Sequence, residues 1–219
     1  MRVETSFLTS AYVKAKLNVL ANGFGGEIAW QRTVRVDELT ETTLLRECGW
    51  VILASGMRES IIRQKFPEIG QAFFDWRCAA VISSRRDECI RQALKHFRNE
   101  PKIRAIATVA DIIHAKGFAA LQAEITSDPI STLRQFPFIG PRTSYHLAKN
   151  IGVPVAKPDR HLCRLADLTG RHHPLELCEE IAKYVGDPVS VVDIVLWRFA
   201  ALNPDYLEVF LPRSSEGAN

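Results

Sequence analysis

The stretch LRQFPFIGPRTSYHLAKNIGVPVAKPDRHLCRLA, residues 133–166, combines a tight turn with one carboxylate at the start of a helix. Pro141 suits the first turn of a helix, where its missing N–H needs no partner. Gly140 is expected to adopt a backbone conformation that a side chain would resist. The free N–H groups of that turn and the helix dipole predict an anion site. Such a turn either holds one DNA phosphate without reading a base or is an ordinary helix–turn–helix corner.

Asp159 is the carboxylate in this stretch, and it precedes the helical sequence RHLCRLA. Asp is a preferred residue at a helix start, so a purely structural capping role explains its position. The same N–H groups would also fix the direction of the carboxylate. An ionised carboxylate so placed stabilises positive charge that develops on a sugar, as in glycosidic cleavage.

Basic charge is concentrated on this stretch, although the whole chain carries a net charge of only +3. From Arg134 to Arg171, seven Lys or Arg stand against two Asp, whereas from Pro174 onward three basic residues stand against eight acidic ones. This distribution favours phosphate contact, and solvated helix faces are the alternative.

Helical patterns cover nearly the whole chain and strand patterns are almost absent, so we predict an all-α fold. We expect residues 24–36 to form a loop or a short extended piece. We also expect the helix formed by MRESIIRQKF to end before Pro67. We expect helices at about 5–21, 38–55, 57–66, 68–74, 76–82, 85–98, 101–116, 118–126, 129–135, 141–151, 160–168, 174–185 and 188–202.

These helices are expected to form two lobes with a cleft between them. Lobe A is predicted at about 38–151, with the hairpin at about 133–151. Lobe B is predicted at about 1–37 plus 152–212, and residues 213–219 are expected to be a frayed tail. Apart from that tail, residues 1–219 are treated as one domain.

The bulk composition is typical of a soluble globular protein, with 47% hydrophobic and 24% charged residues among 219. No apolar run approaches the roughly 18 residues that span a bilayer, and the N-terminus lacks a signal-peptide core, so we expect a cytoplasmic protein without membrane contact. The five cysteines are scattered and form no CxxC pair, which predicts reduced, mostly buried thiols and no metal site. His172 and His173 are expected to face solvent.

The two motif halves resemble the helix-hairpin-helix DNA glycosylases, the superfamily of endonuclease III and 3-methyladenine DNA glycosylase II. Their pattern is roughly L-P-G-[VI]-G-x-x-T-A, about ten further residues, then V-D-x-H-x-x-R. LLRECGWVILASGMRES also resembles the helix and turn that end in the family's DNA-facing loop. The matching positions are Pro137, Ile139, Gly140, Thr143, Asp159, His161 and Arg164.

The resemblance implies a monomeric enzyme that flips a damaged or modified base out of double-stranded DNA and cleaves its N-glycosidic bond with the help of Asp159. If the source is bacterial, the enzyme would associate with the nucleoid. The residues implied to bind phosphate at the hairpin are Phe138, Ile139, Gly140, Pro141, Arg142 and Thr143. The resemblance also implies a monovalent cation at the hairpin and no other cofactor. The cysteine cluster of endonuclease III relatives is missing after Asp159, so no iron–sulfur cluster is expected.

Arg142 occupies the position where family members that also cut the backbone carry a lysine. Because arginine stays protonated, it forms no Schiff base, so the resemblance implies a monofunctional glycosylase that leaves an abasic site. Lys157 and Lys149 are the alternative nucleophiles for a bifunctional lyase, or else they are phosphate contacts or surface residues. A non-catalytic DNA-binding module is the other alternative. Phe138 replaces the first hairpin glycine and is expected to alter the phosphate grip or to pack against Phe136.

Several further residues are candidates for contact with the nucleic acid. Met57 or Arg58 would act as a wedge in the space left by a flipped base, unless they form a mere turn. Trp197 would line the base pocket, or it belongs to the core as the other tryptophans do. Arg160 and Arg164 are candidate phosphate contacts.

Overall fold

The computed structural model describes residues 2–212, and all regular secondary structure in this part of the chain is helical, without strands, as predicted. The expected frayed tail at 213–219 lies outside the described residues. Short 3-10 helices lie at Val36–Glu38, Phe74–Trp76 and Tyr206–Phe210. The α-helices are α1 (Thr5–Ala21), α2 (Gly25–Thr33), α3 (Glu41–Ala54), α4 (Glu59–Ala72), α5 (Ala79–Ser84), α6 (Arg86–His96), α7 (Glu100–Lys116), α8 (Phe118–Ser127), α9 (Pro129–Leu133), α10 (Pro141–Asn150), α11 (Arg160–Leu168), α12 (Pro174–Val185) and α13 (Val189–Leu202).

The chain folds into two compact units. The first unit comprises Met1–Val34 together with Pro154–Asn219, and the second unit is Arg35–Val153. The second unit is therefore an insertion in the first. The hairpin belongs to the second unit, whereas Asp159 belongs to the first.

Two ionic networks join distant parts of the first unit. The Glu180 carboxylate accepts two hydrogen bonds from the Arg171 guanidinium, at 2.6 and 3.1 Å. It also accepts hydrogen bonds from Arg2 and Thr5. The Arg171 hydrogen bond is the main reason that the pKa of Glu180 falls to about 2. Asp187 accepts hydrogen bonds from residues of α1 and α2, namely Tyr12, Lys16 and Arg32. Although burial raises the pKa of Asp187, these hydrogen bonds hold it below its ordinary value.

The apolar core of the first unit lies among α1, α11, α12 and α13. The last of these helices was expected to be buried on most faces, and the structure confirms this for Val191, Val195 and Leu196. Apolar residues three and four positions apart on α1, such as Leu8, Tyr12 and Ala15, pack into the same cluster.

The second unit packs α3 and α7 at its centre, and α10 packs against α3 and α9. Burial of Val51, Ile52 and Leu53 confirms that α3 is a central helix. Asn150, at the end of α10, donates a 2.8 Å hydrogen bond to the buried Glu47 of α3. Burial raises the pKa of Glu47 above its ordinary value. This contact fixes the helix of the hairpin on the core of its own unit.

Gly152, near the C-terminal end of the second unit, contacts the backbone at the unit's N-terminal end. Its φ of +91° lies in the left-handed region, and an added Cβ would lie 2.6 Å from the Cα of Arg35 and 2.5 Å from the N of Val36. No other residue type fits this approach without a shift of the backbone.

Residues 24–36 were expected to form a loop, but Gly25–Thr33 is an α-helix, α2. Tertiary contacts override the poor helix propensity of the two glycines. Glu27 accepts a bidentate pair from Arg198 of α13, at 2.7 and 3.0 Å. Ile28 and Gln31 of α2 are buried.

The region around Pro67 also differs from expectation. Instead of ending before this residue, α4 continues to Ala72, because Ile62, Phe66 and Ile69 form one buried stripe along it. The helix expected at 68–74 is thus the end of α4. The helix expected at 76–82 is displaced to Ala79–Ser84, because Phe74, Asp75 and Trp76 all have φ between 51° and 64°.

None of the five cysteines forms a disulfide with another described residue. Cys48, Cys89 and Cys178 are buried, and the other two are half-buried. Burial raises the pKa of the Cys89 thiol to about 11. Within the described residues, none of the helices combines the length and apolarity needed to cross a membrane.

Candidate functional site

The turn before α10 is held by its own buried side chains and by Thr143. Phe136 and Ile139 are buried, with 2% and 4% exposed, and the Ile139 N–H donates to the Phe136 carbonyl at 3.1 Å. The Gly140 N–H donates to Thr143 Oγ1 at 2.7 Å. The Thr143 hydroxyl in turn lies 3.3 Å from the carbonyl oxygens of Phe138 and Gly140, and donates to either.

One N–H group at the start of α10 is left for an anion. Pro141 has no N–H, and that of Gly140 is bonded to Thr143. The N–H group of Arg142 has no acceptor within residues 2–212. The anion site therefore has fewer N–H donors than the sequence predicted, since the Gly140 N–H does not contribute to it.

The expectation that Gly140 needs the freedom of glycine is wrong. Its φ is −93°, and the nearest atom to an added Cβ is Thr143 Oγ1 at 3.9 Å. Phe138 instead adopts the left-handed conformation, with φ of +63°. Phe138 is 46% exposed and makes no ring contact with Phe136 or any other described aromatic residue. The alternative that it packs on Phe136 is therefore also wrong.

Arg142, on the first turn of α10, is exposed and has no ion pair within the described part of the chain. Sequence reasoning did not assign Arg134 to the site. It follows the last residue of α9, and it too is exposed and has no ion pair within the described part of the chain.

Asp159 begins α11 and is held there by two hydrogen bonds. Its Oδ1 accepts from the N–H groups of His161 at 2.9 Å and of Leu162 at 3.0 Å. Oδ2 accepts no hydrogen bond within residues 2–212, and the residue is half-buried. One oxygen thus fixes the carboxylate while the other stays available, which confirms the predicted cap.

The segment before Asp159 is anchored by a residue that sequence reasoning missed. Asp193 of α13 is buried, with 1% exposed, and accepts a 2.7 Å hydrogen bond from the Lys157 N–H. The Asp159 N–H then donates to the Lys157 carbonyl at 2.8 Å. An Asp in a mostly apolar helix was the only sequence signal for this contact.

His161 lies beside the cap, with its Nδ1 buried and without a hydrogen-bond partner among the described residues. Its ring meets Tyr206 edge-on at a centroid distance of 5.3 Å. Burial lowers the pKa of His161 below its ordinary value, although the nearby Asp159 charge opposes this. Arg160 and Arg164 are one turn apart on α11 and both exposed, which leaves them available for phosphate contact.

Two candidate nucleophiles have different settings. Lys149 is buried, with 4% exposed, so the expectation that it is a surface residue or a phosphate contact is wrong, and its amine is not accessible to a sugar. It lies on the inner face of α10, which the sequence pattern alone did not reveal. Lys157 is half-buried and remains a candidate.

The predicted wedge residues lie on an exposed turn between α3 and α4. Met57 is 40% exposed and Arg58 is also exposed, and Gly56 has a φ of +69°. Lys102 of α7 stabilises this turn, because its amine donates hydrogen bonds to the carbonyl oxygens of Leu53, at 2.7 Å, and of Ser55. Burial lowers the pKa of Lys102.

Trp197 is half-buried on α13 and packs against the core of the first unit. The guanidinium of Arg198 lies 4.7 Å from its ring centroid and 4.2 Å from that of Phe24. A structural role therefore explains part of the Trp197 surface, and the base pocket stays a prediction.

A hard cation prefers carbonyl oxygens that have no other partner. The carbonyl oxygens of Pro137 and Ile139 accept no hydrogen bond within the described chain. The monovalent cation that the resemblance implies stays a prediction, for which these two oxygens are the candidate ligands.

Comparison with protein families, with curated protein sequences and with solved structures finds no match to this chain.

Proposed function

We propose that this protein is a monofunctional DNA glycosylase, which flips a damaged or modified base from double-stranded DNA and hydrolyses its N-glycosidic bond. The observation that carries the proposal is the setting of Asp159. Two N–H groups fix one carboxylate oxygen, and the other accepts no hydrogen bond from residues 2–212. That arrangement suits electrostatic support of a sugar that becomes positively charged as the base leaves.

The hairpin supports the same proposal through its phosphate-binding character. The N–H group of Arg142, with the exposed Arg142 side chain, would hold one phosphate of the strand. Water would attack the sugar and an abasic site would remain, since Arg142 forms no Schiff base. We propose that the protein acts as a monomer in the cytoplasm.

The test is to incubate the protein with duplexes that carry oxidised purines, alkylated purines, deaminated bases or modified cytosines, and then to treat them with alkali. We expect scission on at least one lesion, reduced about 100-fold or more by Asp159→Asn. Because Asn caps a helix as well as Asp does, the melting temperature should change little. Asp167→Asn, which alters an exposed Asp of the same helix, is the matched control and should retain activity.

Identical products from wild type and Asp159→Asn on every lesion would refute the enzymatic proposal. The capping geometry of Asp159 would then favour the second candidate, a non-catalytic DNA-binding module with salt-sensitive affinity for duplexes. Borohydride reduction of the protein together with an abasic duplex distinguishes a bifunctional lyase from a monofunctional glycosylase. We expect no covalent adduct, whereas an adduct lost in Lys157→Ala would establish a bifunctional enzyme.

A further inference from the structure

We propose that Phe138 is a stacking residue whose ring packs on a base or sugar face exposed where DNA stacking is broken. The hairpin would then bind unstacked DNA in preference to intact duplex. This inference rests on one part of the proposed function, namely that the hairpin contacts DNA. It adds the structural class of DNA that the hairpin selects.

The conformation of Phe138 is the first argument. A bulky residue with φ of +63° is strained, and strain of this kind persists when something else benefits from it. The ring is 46% exposed, whereas Phe136 and Ile139 carry the apolar packing of the turn with 2% and 4% exposed. Packing of the ring within the protein therefore does not explain why a phenylalanine occupies this position.

Charge around the ring points to a nucleic acid as its partner. Arg134 and Arg142 lie four residues before and after Phe138, and both are exposed without an ion pair in the described chain. Between Asp128 and Asp159 the sequence carries no acidic residue at all. An aromatic ring flanked in the sequence by two exposed cations complements a base next to its phosphates.

The geometry of a duplex decides which DNA this ring can reach. Every base has a π-face that stacks on an aromatic side chain, irrespective of sequence. In an intact duplex, neighbouring bases cover these faces. At a gap, an abasic site or a single strand they are open, so a phosphate held at the start of α10 leaves Phe138 next to an available surface.

The test compares binding of the wild-type chain to an intact duplex, to the same duplex with a one-nucleotide gap, and to a single strand, by fluorescence anisotropy. We expect wild type to bind the gapped duplex about tenfold more tightly than the intact one. Phe138→Gly should lose about tenfold on gapped and single-stranded DNA and little on intact duplex. Its melting temperature should stay the same or rise, since glycine adopts positive φ without strain.

Two further variants complete the test. Phe138→Asn tolerates the left-handed conformation and should reproduce the selective loss. Tyr184→Ala removes an aromatic residue of α12 that is more exposed than Phe138, and it should leave both affinities unchanged.

A uniform loss on all three DNAs, or no loss in either Phe138 variant, would overturn the stacking proposal. If Arg142→Ala still weakened binding to all three, the hairpin would remain a DNA contact and the proposed function would stand. If the wild-type chain bound none of the DNAs, both proposals would fail. The assay does not depend on catalysis, so Asp159→Asn protein gives the same answer.

Discussion

Gly140 and Gly152 lie at either end of α10 and are expected to respond in opposite ways to a single methyl group. Gly140→Ala should change the free energy of unfolding by less than about 0.5 kcal/mol, because its backbone is extended and the space is open. Gly152→Ala should cost about 3 kcal/mol or more, because it combines positive φ with a clash against the Arg35 backbone. Urea unfolding of both variants measures the difference. Equal midpoints would contradict the geometry of the two turns.

Residue roles set by the nearest neighbours in sequence were predictable, and those set by the fold were not. Asp159 was correctly predicted as a cap, because the N–H groups that donate to its carboxylate belong to His161 and Leu162. The burial of Lys149 depends on how α10 packs against α3, which no local pattern shows. The reversed conformations of Phe138 and Gly140 arise because the Thr143 hydroxyl, rather than glycine freedom, shapes the turn.

At the scale of elements, Thr143 joins the turn to the first turn of α10. Thr143→Val keeps the shape but leaves the Gly140 N–H without an acceptor, so we expect a loss of about 1–2 kcal/mol in unfolding free energy. Thr143→Ser keeps the hydroxyl and is the matched control. Thermal unfolding of the three proteins measures this, and a Val variant as stable as Ser would show that the hydroxyl does not hold the turn.

Helices with clear stop signals were predicted closely, and those maintained by tertiary contacts were not. The predicted ends of α1 match the structure because Asn22 and Gly23 end it, and α12 likewise ends at Gly186, whose φ is +73°. In contrast, α2 forms despite Gly25 and Gly26, and α4 passes through Pro67. In both cases, burial and ion pairs supply more free energy than propensity removes.

At the scale of the whole molecule, Glu180 makes the stability of the first unit depend on pH. It links Arg2 and Thr5, near the beginning of the sequence, to Arg171. Because its pKa falls to about 2 in the folded chain, its contribution is fully present above the unfolded value near 4.5. It is lost progressively as the pH falls from there through 2.

Glu180→Gln should therefore destabilise the protein at pH 7 by about 1–2 kcal/mol, a range that allows for solvent screening of the pair. The difference from wild type should shrink between pH 4.5 and 2. Urea titrations at pH 7, 4 and 2.5 measure it, with the exposed Glu179→Gln as the control. A difference independent of pH would show that Glu180 acts through shape rather than charge.

The contact of Gly152 with Arg35 also bears on the order in which the chain folds. The first unit must bring α1 to α13 across the whole inserted unit, and closing so long a loop is entropically costly and slow. Once the second unit has folded, its two ends are in contact, so the effective loop shrinks to a few residues. We therefore expect the inserted unit to fold first. It would then hold the two segments of the first unit close together, so that the core of the first unit forms quickly.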